Sequence, residues 1–500
     1  MHEGAAIPAE ITQADLEDDR YLKPVLDDDA LILCLDDLPE ASQEGAAQAG
    51  ASSSSAATGG EPAVDDLLKK NAELQVQLEQ LAKQFTNYRL AVQQTLDQRW
   101  QADDEMTDAQ AKKAAEAATP TAAPASKEDP DYYFESYAHN DIHETMLKDT
   151  VRTDAYRDFI YNNKHLFAGK TVLDIGCGTG ILSMFCAKAG AAKVIAVDRS
   201  EIIDKARENI FRNGLSDVIV TLKGKIEDVT LPVDKVDIIV SEWMGYCLLY
   251  EAMLPSVLWA RDRYLKPDGL LVPSHSSIWI APLSDQEYID ENISFWRDVY
   301  GFDMEAMQRG IYQDCRMTVM PSDTVIGTGV PFRFLDLHTC TVEDLVFSAK
   351  WATTFSKDLD PSQKPLDGFL VWFDMFFAQT RTDTTVEPHM TAKEWTEAAG
   401  PSKEAQEGRV SFTTGPFGEP THWRQGLFLI DKKKKQEEVQ KSGGKIKEVE
   451  VGPGKPIEGQ ITFATAKGHA RGIDIKITWG GEGSNERGVE EQIGQEWLLH

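Results

Sequence analysis

Two glutamates in one short segment carry the clearest chemistry in this chain. Glu242 lies in Ser241-Glu242-Trp243-Met244-Gly245-Tyr246, and Glu251 follows nine residues after it, each beside bulky aromatic and aliphatic residues. Paired carboxylates in apolar company suit one large cation. The natural candidate is a guanidinium, a planar fork of donors that stays charged in proteins and bonds carboxylates bidentately. A lone Glu of this kind is more often a buried ion pair or a helix cap; the pair within one loop favours a site. Upstream, Val172-Leu173-Asp174-Ile175-Gly176-Cys177-Gly178-Thr179-Gly180 is an apolar strand running into a glycine loop. Such a loop turns tightly and lets a ligand approach the backbone. Together the two segments suggest an enzyme that carries a nucleotide-bearing cofactor and acts on arginine.

The glycine spacing separates two cofactor classes. Gly176, Gly178 and Gly180 leave Ile181 where a dinucleotide fingerprint would place its third glycine, which counts against NAD. Asp198 ends the next strand, where a carboxylate can accept both ribose hydroxyl protons. Glu227 follows the third strand and could take an adenine amino group. This arrangement is expected for S-adenosylmethionine, a nucleoside with no pyrophosphate to cradle. A non-binding α/β domain that uses glycine only for turns is the alternative.

These groups need a scaffold, and the rest of the chain supplies one. Five hundred residues predict two to four structural units. No apolar run approaches the length of a membrane span, and the N-terminus has no signal-peptide core. Six cysteines, with no CxxC pairs and no partnered histidines, imply neither a disulfide framework nor a metal site. A reducing compartment, cytoplasm or nucleus, is expected. The net charge of −31 argues against direct nucleic-acid binding, which needs clustered Lys and Arg, and suits a cationic substrate. Part of that charge belongs to the tail, since residues 1–66 hold 16 acidic side chains against two basic ones.

Along the chain, 1–63 reads as an acidic, largely disordered tail. The next segment, 64–106, carries apolar residues at heptad spacing and predicts a long helix, either a coiled coil or a helix packed along its own globular part. An Ala/Thr/Pro linker covers 107–130. From 131 to 274 short apolar strands alternate with helices. Thr171–Ile175, Val194–Asp198, Val218–Lys223, Val236–Ser241 and Leu270–Val272 predict a doubly wound parallel sheet, a Rossmann-like α/β domain. From 275 to 500 the texture turns β-branched and aromatic. Ser277–Ala281, Leu345–Ala349, Gly368–Phe377, Gln425–Ile430 and Ile473–Trp479 read as strands of an antiparallel β-barrel domain, interrupted by a helical excursion at 285–312. Hydrophilic stretches near 391–410 and 431–456 read as surface loops, with Lys432–Lys435 a solvated loop tip.

At this density of motifs the chain resembles a type I protein arginine N-methyltransferase from about Asp131 to the C-terminus. Tyr133-Phe134-Glu135-Ser136-Tyr137 is similar to that family's N-terminal YFxxY signature, Val172–Gly180 to its motif I, Glu242 and Glu251 to its double-Glu loop, and Thr421-His422-Trp423 to its THW loop. Asp198 and Cys177, with the segment Leu16–Leu26 and the long helix, resemble the protein arginine methyltransferase 3 subfamily. Members of that subfamily carry an N-terminal zinc finger. This chain offers no Cys/His set for one, so the resemblance implies a finger upstream of Met1 or lost.

The resemblance also implies roles. S-adenosylmethionine is the expected cofactor, bound by His143, Met146, Arg152, Asp174, Gly176, Cys177, Gly178, Gly180, Asp198 and Glu227, with Arg152 pairing the cofactor's methionyl carboxylate. Glu242 and Glu251 hold the substrate arginine. His422 bonds Asp149 and serves positioning or acid–base work, and Tyr137, Met253 and Trp423 line the substrate pocket. The implied product is asymmetric dimethylarginine. The implied partners are a protein substrate, Gly/Arg-rich or ribosomal, and a second copy of the chain docked through 285–312 as a homodimer. An inactive scaffold that binds partners through its N-terminal region is the competing reading.

Overall fold

The computed structural model describes Phe134 and residues 136–499, apart from 363, 399–407, 444–448, 468, 470, 485 and 487–491. The expected tail, long helix and linker at 1–130 lie outside the described residues. The chain divides into two compact units, Met1–Ala122 and Ala123–His500, and every described residue belongs to the second.

Helices α1 (Asn140–Lys148) and α2 (Thr150–Asn162) open the described chain, followed by one turn, α3 (Lys164–Phe167). Asp149 sits between the first two and caps α2, its side chain accepting the Arg152 N–H at 3.1 Å. Next come β1 (Thr171–Ile175), α4 (Ile181–Lys188), β2 (Lys193–Asp198), α5 (Ile202–Arg212), β3 (Ile219–Lys223), β4 (Val236–Ser241), α6 (Leu254–Tyr264) and β5 (Leu265–Val272). The five strands form a parallel sheet in the order β3-β2-β1-β4-β5. Val, Ile and Leu fill β1, β2 and β4 without a polar face because helices cover the sheet on both sides, so nearly every position is buried.

The topology decides where the site falls. Strand order reverses between β1 and β4, which lie side by side with Ile175 opposite Ser241. The Ser241 hydroxyl ties the two strand ends by donating to the Ile175 carbonyl at 2.8 Å. The glycine loop after β1 and the Glu242 loop after β4 therefore leave the sheet together at the switch point, where open α/β sheets bind ligands.

The remaining strands are antiparallel. One sheet holds β6 (His275–Leu283), β7 (Arg316–Thr318), β8 (Val330–Asp336), β10 (Gly368–Phe377), β11 (Val410–Thr413) and β12 (Gln425–Leu429), in the order β7-β12-β10-β6-β8 with β11 also on β10. The other holds β9 (Phe347–Thr354), β13 (Pro456–Thr465), β14 (Ile473–Gly480) and β15 (Ile493–Leu499), in the order β15-β14-β13-β9. Backbone bonds link the sheets at both seams. Cys315 N–H reaches Leu498 C=O at 2.9 Å on one side, and Thr328 N–H reaches Thr354 C=O at 3.1 Å on the other. The result is a barrel filled by aromatic side chains, with Phe369 between Trp351 at 5.4 Å and Trp479 at 5.3 Å. β10 is buried along its whole length because both of its faces are covered. Its outer face, with Leu370 and Trp372, packs with Trp279 and with Ile293 and Ile311 of the 285–312 excursion. That excursion contains α7 (Gln286–Asn292) and two short 3-10 turns, close to the helical expectation.

Two expectations need correction. The stretch near 391–410 is not only a surface loop, because it forms α8 (Ala392–Glu397), started by a reciprocal capping box between Thr391 and Glu394. Trp395 on that helix is fully buried against Phe376. Lys432–Lys435 is likewise not a loop tip but the start of α9 (Lys432–Lys441), whose first turn is capped by Asp431. Lys432 is tied down there, its ammonium 2.5 Å from the buried Asp367 carboxylate. A single tryptophan and two caps, read locally, were outweighed by the polar composition around them. The strands β7, β8, β11, β13 and β15 were also not anticipated, being short or patterned with charges, Gly and Pro.

Two carboxyls in the core hold protons near neutrality. Burial pushes Asp174, at the end of β1, up to about 7 even though Ser183 donates to it at 2.6 Å. Burial likewise pushes Asp374 on β10 to about 7. Both retain the proton where an unfolded carboxyl, near 3.8, has lost it. Their contribution to stability is therefore full below about pH 4 and lost as pH rises through about 7. The Asp174→Asn variant should flatten the fall in unfolding midpoint between these pH values, measured by thermal denaturation across a pH series. In the same assay Trp395→Ala should cost about 3–5 kcal/mol, since it empties a fully buried aromatic site; a change within noise would return α8 to the status of a surface loop.

Candidate active site

One cavity of about 760 Å³ lies at the switch point. It is bordered by Tyr137, His143, Met146, Arg152, Gly176, Cys177, Gly178, Asp198, Glu227, Glu242, Glu251, Met253, His422 and Trp423, so the structure brings fourteen of the expected site residues to one space. Asp149, Asp174 and Gly180 do not border it and act from behind.

The floor is the glycine loop. Both Asp198 oxygens are engaged at 2.8 Å, one by the Gly178 N–H and the other by the Ser200 N–H, so this carboxylate shapes the loop as well as facing the cavity. Burial raises the Asp198 pKa, the two backbone donors opposing it. Gly176 has a φ of +69°, which strains any side chain, and a Cβ there would also fall 2.4 Å from the Met253 methyl, which would have to move. His143 closes over Gly178 and bonds the Tyr137 carbonyl through Nε2 at 2.8 Å. A carbonyl only accepts, so Nε2 carries the proton. Burial lowers the His143 pKa and keeps the ring neutral.

The Glu242 loop forms the opposite wall. Its backbone is unusual, with positive φ at Cys247, Leu248, Glu251 and Ala252. Gly245 allows the loop to fold on itself, since a Cβ there would meet the Tyr250 carbonyl oxygen at 1.9 Å. Glu242 is nearly buried and pairs with Arg152, whose Nε and Nη2 both reach Oε2, at 3.0 and 2.7 Å. The family resemblance implies that Arg152 pairs with the carboxylate of a cofactor; in this structure its charged partner is Glu242. A carboxylate so enclosed needs a cation or a proton, and Arg152 is the cation within reach. Glu251 accepts a hydrogen bond from the Tyr137 hydroxyl at 2.7 Å.

A third wall comes from the barrel. His422 is joined to Asp149 twice, through its backbone N–H at 2.9 Å and through Nδ1 at 2.6 Å. Burial pushes Asp149 up, but the bonds from His422 and from the Arg152 N–H outweigh it and leave the carboxyl below its usual range. Asp149 is therefore ionised and Nδ1 of His422 is the donor to it, which leaves Nε2 outside that bond. Trp423 donates to the Met244 carbonyl at 2.9 Å and stacks on Phe412, which makes it a wall rather than a reacting group.

Sequence reasoning missed Arg471, which borders the same cavity. Its backbone carbonyl accepts the Glu251 N–H at 3.0 Å, and its guanidinium donates to the Glu251 carbonyl. Arg471 lies in a hydrophilic connection between two strands and belongs to no motif, so nothing local marks it. Among the described residues no cluster of His, Cys, Asp and Glu is arranged to hold a metal ion, and no helix is long and apolar enough to cross a membrane.

Comparison with known proteins agrees with this geometry. Residues 172–269 match a family profile described as a methyltransferase domain, and 274–399 match one described as the arginine methyltransferase oligomerization subdomain. The ribosomal protein arginine N-methyltransferase rmt3 of Schizosaccharomyces pombe is 46% identical over 356 residues, 71% of this chain and 59% of that protein. Protein arginine N-methyltransferase 1 of the same yeast is 43% identical over 349 residues, 70% of this chain and 89% of that protein. The fold is similar to that of the Trypanosoma brucei PRMT1 enzyme–prozyme heterotetrameric complex with AdoHcy, with 32% identity, a TM-score of 0.59, and coverage of 73% of this chain and 100% of that one. The chain thus belongs to the protein arginine N-methyltransferases, the family that transfers methyl groups from S-adenosylmethionine to arginine side chains of proteins.

Proposed function

We propose that the cavity is the seat of this reaction, with the cofactor held along Gly176, Cys177, Gly178, Asp198 and Glu227 and the substrate arginine held between Glu242 and Glu251. The observation that carries the reading is the convergence of the glycine loop and both glutamates on one cavity at adjacent parallel strand ends. The residues fit S-adenosylmethionine. Gly178 has the His143 ring 3.4 Å from where a Cβ would sit, which leaves a thin cradle, and Asp198 keeps acceptor capacity for hydroxyl donors. When bound, the cofactor supplies a methyl group already activated by positive sulfur.

The chain's own residues do the rest. A guanidinium is a poor nucleophile because it is cationic and its lone pairs are delocalised. Glu242 and Glu251 draw its positive charge to one end and raise electron density at the terminal nitrogen they leave unbound, so positioning and electrostatics supply the rate. Both Arg152 bonds fall on Oε2 of Glu242, so Oε1 keeps its acceptor sites for a second cation. His422, held by Asp149 through Nδ1, serves to position the site or to take part in carrying away the proton released from the substrate. Met146 and Met253 border the cavity and limit how a monomethylated arginine can rebind, which favours asymmetric dimethylarginine.

Two wider readings follow from family membership. The exposed aromatics of the 285–312 excursion, Phe295, Tyr300 and Phe302, support assembly with a second copy of the chain. The similarity to rmt3, named a ribosomal protein arginine N-methyltransferase, supports a ribosomal protein substrate; a Gly/Arg-rich segment is the other substrate the family resemblance implies, since its small residues let an arginine enter a narrow pocket.

Incubation of the protein with S-adenosylmethionine and a Gly/Arg-rich peptide should yield asymmetric dimethylarginine, resolved from its symmetric isomer by mass spectrometry with chromatographic separation. Glu242→Gln keeps an acceptor for Arg152 and should fold. It should lower kcat by about a hundredfold or more, with cofactor affinity by calorimetry changed less than about threefold. Undiminished activity of that variant would remove Glu242 from the mechanism.

A further inference from the structure

We propose that Arg471 is the positioning residue that sets the direction of the Glu251 carboxylate, a role that rests on the assignment of Glu251 to the substrate guanidinium. Glu251 and Ala252 have φ of +75° and +50°, conformations that non-glycine residues adopt only where their surroundings hold them. Packing supplies part of that hold, since Leu248 is fully buried and Leu249, Tyr250 and Met253 pack against the core, but it is incomplete beside Ala252. A second cavity, about 120 Å³, lies behind it, lined by Leu249, Tyr250, Ala252 and Arg471 among others, and offers room to relax. Hydrogen bonds complete the hold: Gly245 and Leu248 bond each other and the Tyr250 N–H donates to the Tyr246 carbonyl within the loop, and the Glu251 backbone is tied to Arg471 of the turn between β13 and β14. The Glu251 N–H donates to the Arg471 carbonyl at 3.0 Å, and the Arg471 guanidinium donates back to the Glu251 carbonyl. With the peptide groups on both sides of the Glu251 α-carbon pinned, its Cα–Cβ direction is set, and Tyr137 fixes the carboxylate at the far end.

The guanidinium of Arg471 is itself braced. It lies 5.0 Å from the centre of the Phe134 ring, which has the Arg199 guanidinium 4.1 Å away as well. Phe134 precedes α1, and Arg199 follows β2 beside Asp198. Arg471 thereby links the cofactor side of the cavity to the orientation of a substrate-binding carboxylate.

The test compares Arg471→Met, Arg471→Lys and Glu251→Gln in peptide methylation and cofactor binding. All three keep the backbone bond between 251 and 471, so the two Arg471 variants isolate the guanidinium. Arg471→Met should lower kcat about tenfold or more, because small misplacements of a positioning group are costly. Its affinity for S-adenosylmethionine and its unfolding midpoint should stay close to wild type. Arg471→Lys, which can still donate to the carbonyl, should recover to within about threefold of wild type. A kcat for Arg471→Met within about twofold of wild type, with Glu251→Gln inactive, overturns the positioning role alone. Equal losses in both Arg471 variants, accompanied by weaker cofactor binding, also overturn it in favour of a general structural role. Full activity of Glu251→Gln removes the underlying assignment and the proposal with it.

Discussion

Negative charge held together out of water is the constraint around which the site is organised. Glu242 and Glu251 share one cavity with Asp198, while Asp149 and Asp174 lie just behind it. Burial drives a carboxylate in such a place to take up a proton, as it does at Asp174 even with the Ser183 hydroxyl donating to it. Each of the others is met by a specific partner: Arg152 at Glu242, the Tyr137 hydroxyl at Glu251, two backbone N–H groups at Asp198, and His422 at Asp149. These partners offset the negative charge and aim the carboxylates. They also make the site selective, since only a ligand that brings its own cation and donors replaces what water would have given.

Satisfying those carboxylates draws on distant parts of the chain. Arg152 and Asp149 come from the junction of α1 and α2, the glutamates from the end of β4, and His422 and Arg471 from the barrel. The barrel thus does more than shield the parallel sheet. Its aromatic filling, from Trp351 through Phe369 to Trp479, makes it stiff enough to hold two loops against the sheet's carboxyl edge. The hydrophobic core runs without interruption from β1 and β4 into β10, β13 and β14, so one core underlies both the switch point and the barrel that carries those loops.

Local pattern was a good guide wherever a residue's role follows from its neighbours in sequence. The parallel strands are unbroken Val and Ile runs, and the glycine loop has to be a loop, so both were legible. Of the fourteen residues found around the cavity, the glycine loop, Asp198, Glu227, Glu242 and Glu251 were legible from local pattern, and Tyr137, His143, Met146, Arg152, Met253, His422 and Trp423 came from the family resemblance. The insertions were misread for the same reason. Lysine-rich and acidic stretches look like solvated loops, and only the burial of Trp395 and the anchoring of Lys432 on Asp367 show that helices form there.

By itself, then, the sequence determined the parallel-sheet architecture, the cofactor class and the pair of glutamates, because each is written in short-range spacing and residue type. Tertiary structure alone decided which partners those groups have. The ion pair of Arg152 with Glu242 spans 90 positions, the bond from His422 to Asp149 spans 273, and the clamp of Arg471 on Glu251 spans 220. Contacts of that range depend on where β1 and β4 reverse the sheet and where the barrel closes on it, and no local window of residues encodes either.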